Sequence, residues 1–175
     1  MKFGGALRSA SGMLGVREET GAAAVELAIC ASCFVIIVAG TVDFGYWIYA
    51  ASALTAAVSA GSQYAENNAT LVSSNPTALQ SDVQTIVENA VGTSWASATV
   101  NVNNSGDKTG CYCPTGTPGS WSWGSAMKCG SNCANGGVAG QFVTITASHT
   151  VSPLFPTYKL TYNGTINRGA LVETQ

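Results

Sequence analysis

GAAAVELAICASCFVIIVAGTVDFGYWIY, residues Gly21 to Tyr49, is the stretch on which the reading of this chain turns. A glycine is followed five residues later by a lone glutamate, Glu26, and then by a run from Leu27 to Val42 without a charged residue. At about 1.5 Å rise per helical residue, Leu27 to about Gly45 spans a hydrocarbon core of about 30 Å. A helix satisfies its own backbone N–H and C=O groups there, whereas an isolated strand does not. The pattern predicts a transmembrane helix with its span over about residues 27–49. Phe44, Tyr46, Trp47 and Tyr49 fall where an aromatic belt at the outer membrane surface lies. Core packing in a soluble helix is the competing reading of these aromatics.

Outward from this run, the preceding residues MKFGGALRSASGMLGVREETG have no sustained apolar periodicity, and residues 1–21 read as a leader peptide. A cleaved secretory signal competes for this end, but the apolar run is long for its core. Lys2, Arg8 and Arg17 precede the run, and the first basic residue after it is Lys108. This bias places the N-terminus in the cytoplasm and everything after about Tyr46 outside. The remaining composition fits one anchor with one small domain: 175 residues, 46% apolar, 9% charged, net charge -2. Seven scattered basic residues form no phosphate-binding surface, which excludes a nucleic-acid partner.

Glu26 needs a reason, because a carboxylate at the margin of hydrocarbon costs a few kcal/mol unless paired or at the interface. One account has it in the first helical turn, stabilised by the macrodipole by up to about 1 kcal/mol. The other has cleavage after Gly21 create an amino group on Ala22, whose charge Glu26 of a neighbouring subunit neutralises during assembly.

Gly-Ala-Ala-Ala-Val-Glu-Leu, the apolar helix through Thr41-Val42-Asp43-Phe44-Gly45, and the small residues after it resemble the TadE-like family of minor pilins or pseudopilins of the tight-adherence (Tad, Flp-type) pilus system. The resemblance is specific over about residues 21–65 and looser beyond. Val151-Ser152-Pro153-Leu154-Phe155-Pro156 also looks like the family's pattern. The resemblance implies cutting between Gly21 and Ala22 by a prepilin peptidase, with Glu26 as the required glutamate. In related motifs an aromatic residue often follows that glutamate; here it is Leu27.

Past the membrane the helix continues to about Glu66. Ser52, Thr55, Ser59, Ser62 and Glu66 form a polar stripe, opposed by Leu54, Val58, Gly61 and Ala65. This small-residue stripe suits close helix packing, either on the chain's own domain or on another pilin. Asp43, near the outer end of the span, is expected to be solvated at the interface rather than part of an ion path. Asn67 to Pro76 reads as a turn, with Asn75 an N-cap and Pro76 at the first helical position. A second helix follows to about Val91, burying Leu79, Val83, Ile86, Val87 and Ala90 and stopping at Gly92. Three alternating segments predict strands: Ala98/Val100/Val102, Val143/Ile145/Ala147/Val151, and Tyr158/Leu160/Tyr162/Ile166. The expected fold is α+β and pilin-like, with a long N-terminal helix over residues 22–66. In the exported domain, residues 67–175, a second helix packs on a three-stranded antiparallel sheet.

Residues 104–137 differ in kind, rich in Gly, Ser, Pro and Asn, with Trp121, Trp123 and four of the six cysteines. Cys111, Cys113, Cys129 and Cys133 in an exported domain predict two disulfides, one cluster to the other, with the pairing left open. Tetrahedral zinc is the alternative, but CxC…CxxxC is not a usual ribbon spacing. The tryptophans either contact a partner or cover the disulfides. Cys30 and Cys33 match CxxC inside the span, where cysteine behaves as a small apolar residue.

No catalytic residue, metal site or cofactor is assigned. His149, the single histidine, is in phase with the apolar face of its strand and lacks a nucleophile partner; Asp82 and Glu88 read as a solvated helix face. Three glycosylation sequons carry little weight in a bacterial chain.

The function expected is a non-enzymatic minor pilin or pseudopilin in the bacterial inner membrane, its C-terminal domain periplasmic or extracellular. Its partners would be other pilins, the Tad inner-membrane assembly platform, the prepilin peptidase and membrane lipid. The alternative is an unprocessed, single-pass membrane-anchored periplasmic binding domain. A tethered thiol oxidoreductase would need Cys111 or Cys113 as a free thiol.

Overall fold

The computed structural model describes residues 16–92, 95–117, 120–155 and 164–174, and side chains from Gly21 onward. The chain divides into two compact units, one ending at Val42 and the other running Asp43–Gln175. One helix, α1, is assigned over Val16–Asn67. It starts before Gly21, inside the segment read as leader; residues 1–15 of that segment lie outside the described residues.

In the unit ending at Val42, every residue from 21 to 38 is exposed, including Val25, Leu27, Ile29, Phe34 and Ile37. Among soluble domains a fully apolar helix is a buried one; an apolar helix left bare calls for another solvent. Its hydroxyls are satisfied within the helix: Ser32 Oγ donates to Ile29 O at 2.8 Å and Thr41 Oγ1 to Ile37 O at 2.8 Å. Neither hydroxyl hydrogen of residues 21–42 is thus left seeking water.

The second unit is α+β. After α1 come α2, Thr70–Ser74, and α3, Pro76–Val91. The expected turn between the long helices therefore contains a short helix of its own. Asn75 caps α3 as its sequence suggests, its side chain accepting from Ala78 N at 3.3 Å, and Pro76 occupies the first turn, where a missing N–H is harmless. Gly92, at φ 90°, ends the helix in a region closed to most side chains.

Strands β1, Ser97–Val102, β4, Phe142–Val151, and β5, Gly164–Glu173, form an antiparallel sheet in the order β1-β4-β5. A separate hairpin pairs β2, Thr115–Thr117, with β3, Ser120–Ser122. The third sheet strand runs later than the Tyr158–Ile166 pattern predicts. Ile166 faces the core, but the strand continues through Val172, and Tyr158, Leu160 and Tyr162 lie outside the described residues. Pairing with the ten-residue β4 sets this extent, Val143 opposite Val172 and Val151 opposite Gly164. The shorter β1 spans only Ser97↔Ser148 to Val102↔Val143.

Helices and sheet meet in one apolar core. Ala50, Leu54, Ala57, Val58 and Ala65 of α1 and Leu79, Val83 and Val87 of α3 face Val100, Val102, Val143, Ile145, Ala147, Ile166 and Val172. Of the expected α3 face, Leu79, Val83 and Val87 are buried, Ile86 is half-buried and Ala90 is exposed. Leu54, Val58, Gly61 and Ala65 are all buried, so the small-residue stripe packs on the chain's own domain. Gly61 is the point of closest approach: a Cβ built there would lie 2.6 Å from Val87 Cγ2 and 3.3 Å from Val83 Cγ1. The opposing polar stripe, from Ser52 to Glu66, is exposed except for the half-buried Ser62.

Candidate membrane anchor and assembly site

The candidate anchor lies on α1, and its properties follow from local sequence. Residues 21–67 form a helix long and apolar enough to cross a membrane, with a mean hydropathy of 2.5 over its most apolar window. Gly21, Ala22 and Glu26 all lie on this helix and are exposed. Nothing lies within 4 Å of the Cβ position of Gly21, so its backbone is sterically open.

Asp43 departs from expectation. It is 2% exposed rather than solvated. Its carboxylate accepts from the backbone N–H of Leu154 at 2.8 Å and of Phe155 at 3.4 Å. Two backbone donors converge on one anion, an arrangement that compensates for the water it gave up. The signal was in the sequence: Asp43 stands at helical spacing with the buried Ala50, Leu54 and Ala57, so it faces inward. The aromatic belt divides for the same reason. Tyr46 and Trp47 pack against the core, whereas Phe44 and Tyr49 are 58% and 64% exposed.

The cysteine segment is a folded cap. β1 passes into it through four successive left-handed residues, Asn103 (φ 39°), Asn104 (φ 49°), Ser105 (φ 67°) and Gly106 (φ 88°). Asparagine tolerates this region better than most residues, and side-chain bonds hold the turn. Buried Asn103 donates through Nδ2 to Asp107 O at 2.6 Å and Gly110 O at 2.8 Å, and Asn101 Oδ1 accepts from Ser105 N at 2.7 Å. Asp107 then accepts from Thr109 N at 3.0 Å, Gly110 N at 3.1 Å and Tyr112 Oη at 2.7 Å. The backbone donor of Thr109 above all, with the Tyr112 hydroxyl and the Gly110 N–H, lowers the Asp107 pKa to about 2. The same carboxylate raises the Tyr112 pKa, because a phenolate would lose that acceptor.

Two disulfides close the cap, Cys111–Cys129 and Cys113–Cys133. The four thiols a zinc ion would need are joined in pairs, and neither Cys111 nor Cys113 is a free thiol. Trp123 packs edge-on against Tyr112, between the bridged cysteines, with ring centroids 5.8 Å apart. Paired backbone bonds between Tyr112 and Gly140, at 2.8 and 3.2 Å, tie the cap to the start of β4. A cavity of about 210 Å³ remains between cap and sheet, lined by residues including Cys113, Val138, Phe142 and Leu171. Cys30 and Cys33 are free and exposed on the apolar helix.

His149 stacks on Trp95, ring centroids 3.9 Å apart, and its Nδ1 is bonded to Trp95 O. Its Nε2 is buried without a partner, so the histidine is satisfied on one side only. The nearby cavity of about 150 Å³, lined by Tyr49, Ala53, Ala90, Val91 and Trp95, contains no titratable side chain other than Tyr49.

These features define an α+β protein whose bare apolar N-terminal helix is long and apolar enough to cross a membrane and whose cap is stapled by two disulfides. Residues 21–63 match the family described as TadE-like protein. The match covers most of α1 and stops before α2, so it concerns the helix and not the cap. No curated protein and no solved structure matches the chain.

Proposed function

We propose that the protein is a minor pilin or pseudopilin of a Tad (Flp-type) pilus, held in the bacterial inner membrane by α1 and cut after Gly21 by a prepilin peptidase. The observation that carries this reading is the coincidence of three features at one point. The TadE-like match begins at Gly21, Glu26 follows five residues later, and the uncharged apolar run begins directly after it at Leu27.

The mechanism is assembly. Before assembly the apolar face of α1 is solvated by lipid; in a filament the same face packs against helices of other pilins, a transfer between two apolar surroundings that exposes little to water. Cleavage frees the amino group of Ala22, and Glu26 of a neighbouring subunit neutralises it at the apolar margin, where an unpaired charge costs a few kcal/mol. The exported domain, built on the second half of α1, is carried along as a rigid passenger that primes, caps or decorates the filament.

A strain lacking the gene, complemented with the wild-type chain or with Glu26→Ala, tests this through the number of surface pili. The expected result is few or no pili without the protein, rescue by the wild type and poor rescue by the variant. Full piliation in the deletion strain would exclude an assembly role and leave an anchored periplasmic binding domain.

A further inference from the structure

The residues that Asp43 holds have a feature beyond the assembly reading. Pro153-Leu154-Phe155-Pro156 is a four-residue segment with no backbone N–H left for water. The two prolines have none, and those of Leu154 and Phe155 are both donated to Asp43. The side chains between the prolines are large, apolar and turned outward, Leu154 59% and Phe155 40% exposed. An irregular segment that shows apolar side chains and hides its donors is compatible with a hydrocarbon surrounding, where an unsatisfied N–H costs several kcal/mol.

Its height along α1 matches. A span of about 20 residues begun at Leu27 ends near Tyr46, so Asp43 lies in its last turn. With α1 as the anchor, the segment bonded to Asp43 lies at the height of the outer end of the span. Between Val151 and Phe155 the sequence carries no charged residue.

We infer that the Leu154–Phe155 tip is a second membrane contact, inserted into the outer leaflet beside α1 and locked in place by Asp43. This rests on α1 being the membrane anchor. The occupant is lipid, on the ground that the tip is continuous with the end of the apolar span. The tip would fix the tilt and rotation of the exported domain against the membrane, two anchors defining an orientation that one helix leaves free.

The test uses the full-length protein with Cys30→Ala and Cys33→Ala, reconstituted in phosphatidylcholine vesicles. A fluorophore is placed in turn at Leu154→Cys, at Phe34→Cys within the span, and at Thr85→Cys on the exported domain. Quenching by lipids bearing a nitroxide at shallow or deep positions is compared with quenching by aqueous iodide. The expected result is a Leu154 label quenched by the shallow nitroxide and protected from iodide, each several-fold relative to the Thr85 label. Asp43→Ala should return it toward iodide access. A Leu154 label that behaves like the Thr85 label while the Phe34 label is quenched by the deep nitroxide would overturn the tip alone. A Phe34 label untouched by lipid nitroxide would overturn the anchor and the tip with it. A Leu154 label shielded from both quenchers and cross-linking to a second copy would overturn lipid as the occupant.

Discussion

Asp43 and Leu154 are joined by a 2.8 Å hydrogen bond across 111 positions of chain, the buried carboxylate on α1 accepting from the backbone N–H that follows Pro153. Removing the carboxylate leaves two donors without a partner. Asp43→Ala is expected to destabilise the α+β unit by about 2–4 kcal/mol, and Asp43→Asn, which retains an oxygen, by about 1 kcal/mol. Urea titration in detergent micelles, followed by tryptophan fluorescence, measures both. Equal stability of Asp43→Ala and the wild type would mean the bond is not made.

Gly61 and Gly45 make a matched pair on one helix. An alanine at 61 meets Val87 Cγ2 at 2.6 Å, whereas nothing lies within 4 Å at 45. Gly61→Ala should cost about 1–2 kcal/mol net, overpacking outweighing the gain in helix propensity of about 1 kcal/mol. Gly45→Ala should be neutral or slightly stabilising. The same unfolding measurement reads both signs, and a stabilised Gly61→Ala would contradict the packing described.

Each disulfide closes a loop of 18 or 20 positions, worth about 3 kcal/mol in the unfolded chain. Replacing Cys113 and Cys133 together by alanine should lower stability by about that amount. Peptide mapping without reduction should recover the pairs Cys111–Cys129 and Cys113–Cys133 and no others from the cap.

Asp107 makes the cap sensitive to acid. Its folded pKa of about 2 lies below its ordinary value of 3.8, so the ionised carboxylate contributes fully above about pH 4. That contribution falls away as the pH drops from about 4 to about 2. Asp107→Asn should therefore be less stable than the wild type at about pH 6 and no longer so at about pH 2, in urea midpoints taken at both. A difference that stays constant over this range would count against the Asp107 turn.

Local rules made most of this fold legible. Asn75-Pro76 and Gly92 bracket α3 because capping chemistry acts over three or four residues, and the alternation of Val143, Ile145 and Ala147 marks β4 because its two faces see different surroundings. The larger misreadings turned on long-range contacts. Asp43 was expected at the interface because charge at the end of an apolar run normally escapes to water; its partners are over a hundred residues away. The last strand extends further than the alternation through Ile166 indicated, because register with the ten-residue β4 carries it on through Val172. The stripe through Gly61 fitted two partners equally, and only the observed contact with Val83 and Val87 assigns it to the chain's own domain.

The most direct test of the pilin-precursor reading is the N-terminal residue and intact mass of the membrane-extracted protein, from cells with and without the cognate prepilin peptidase. The account predicts an N-terminus at Ala22 that appears only when the peptidase is present. An uncut N-terminus in both strains would contradict it.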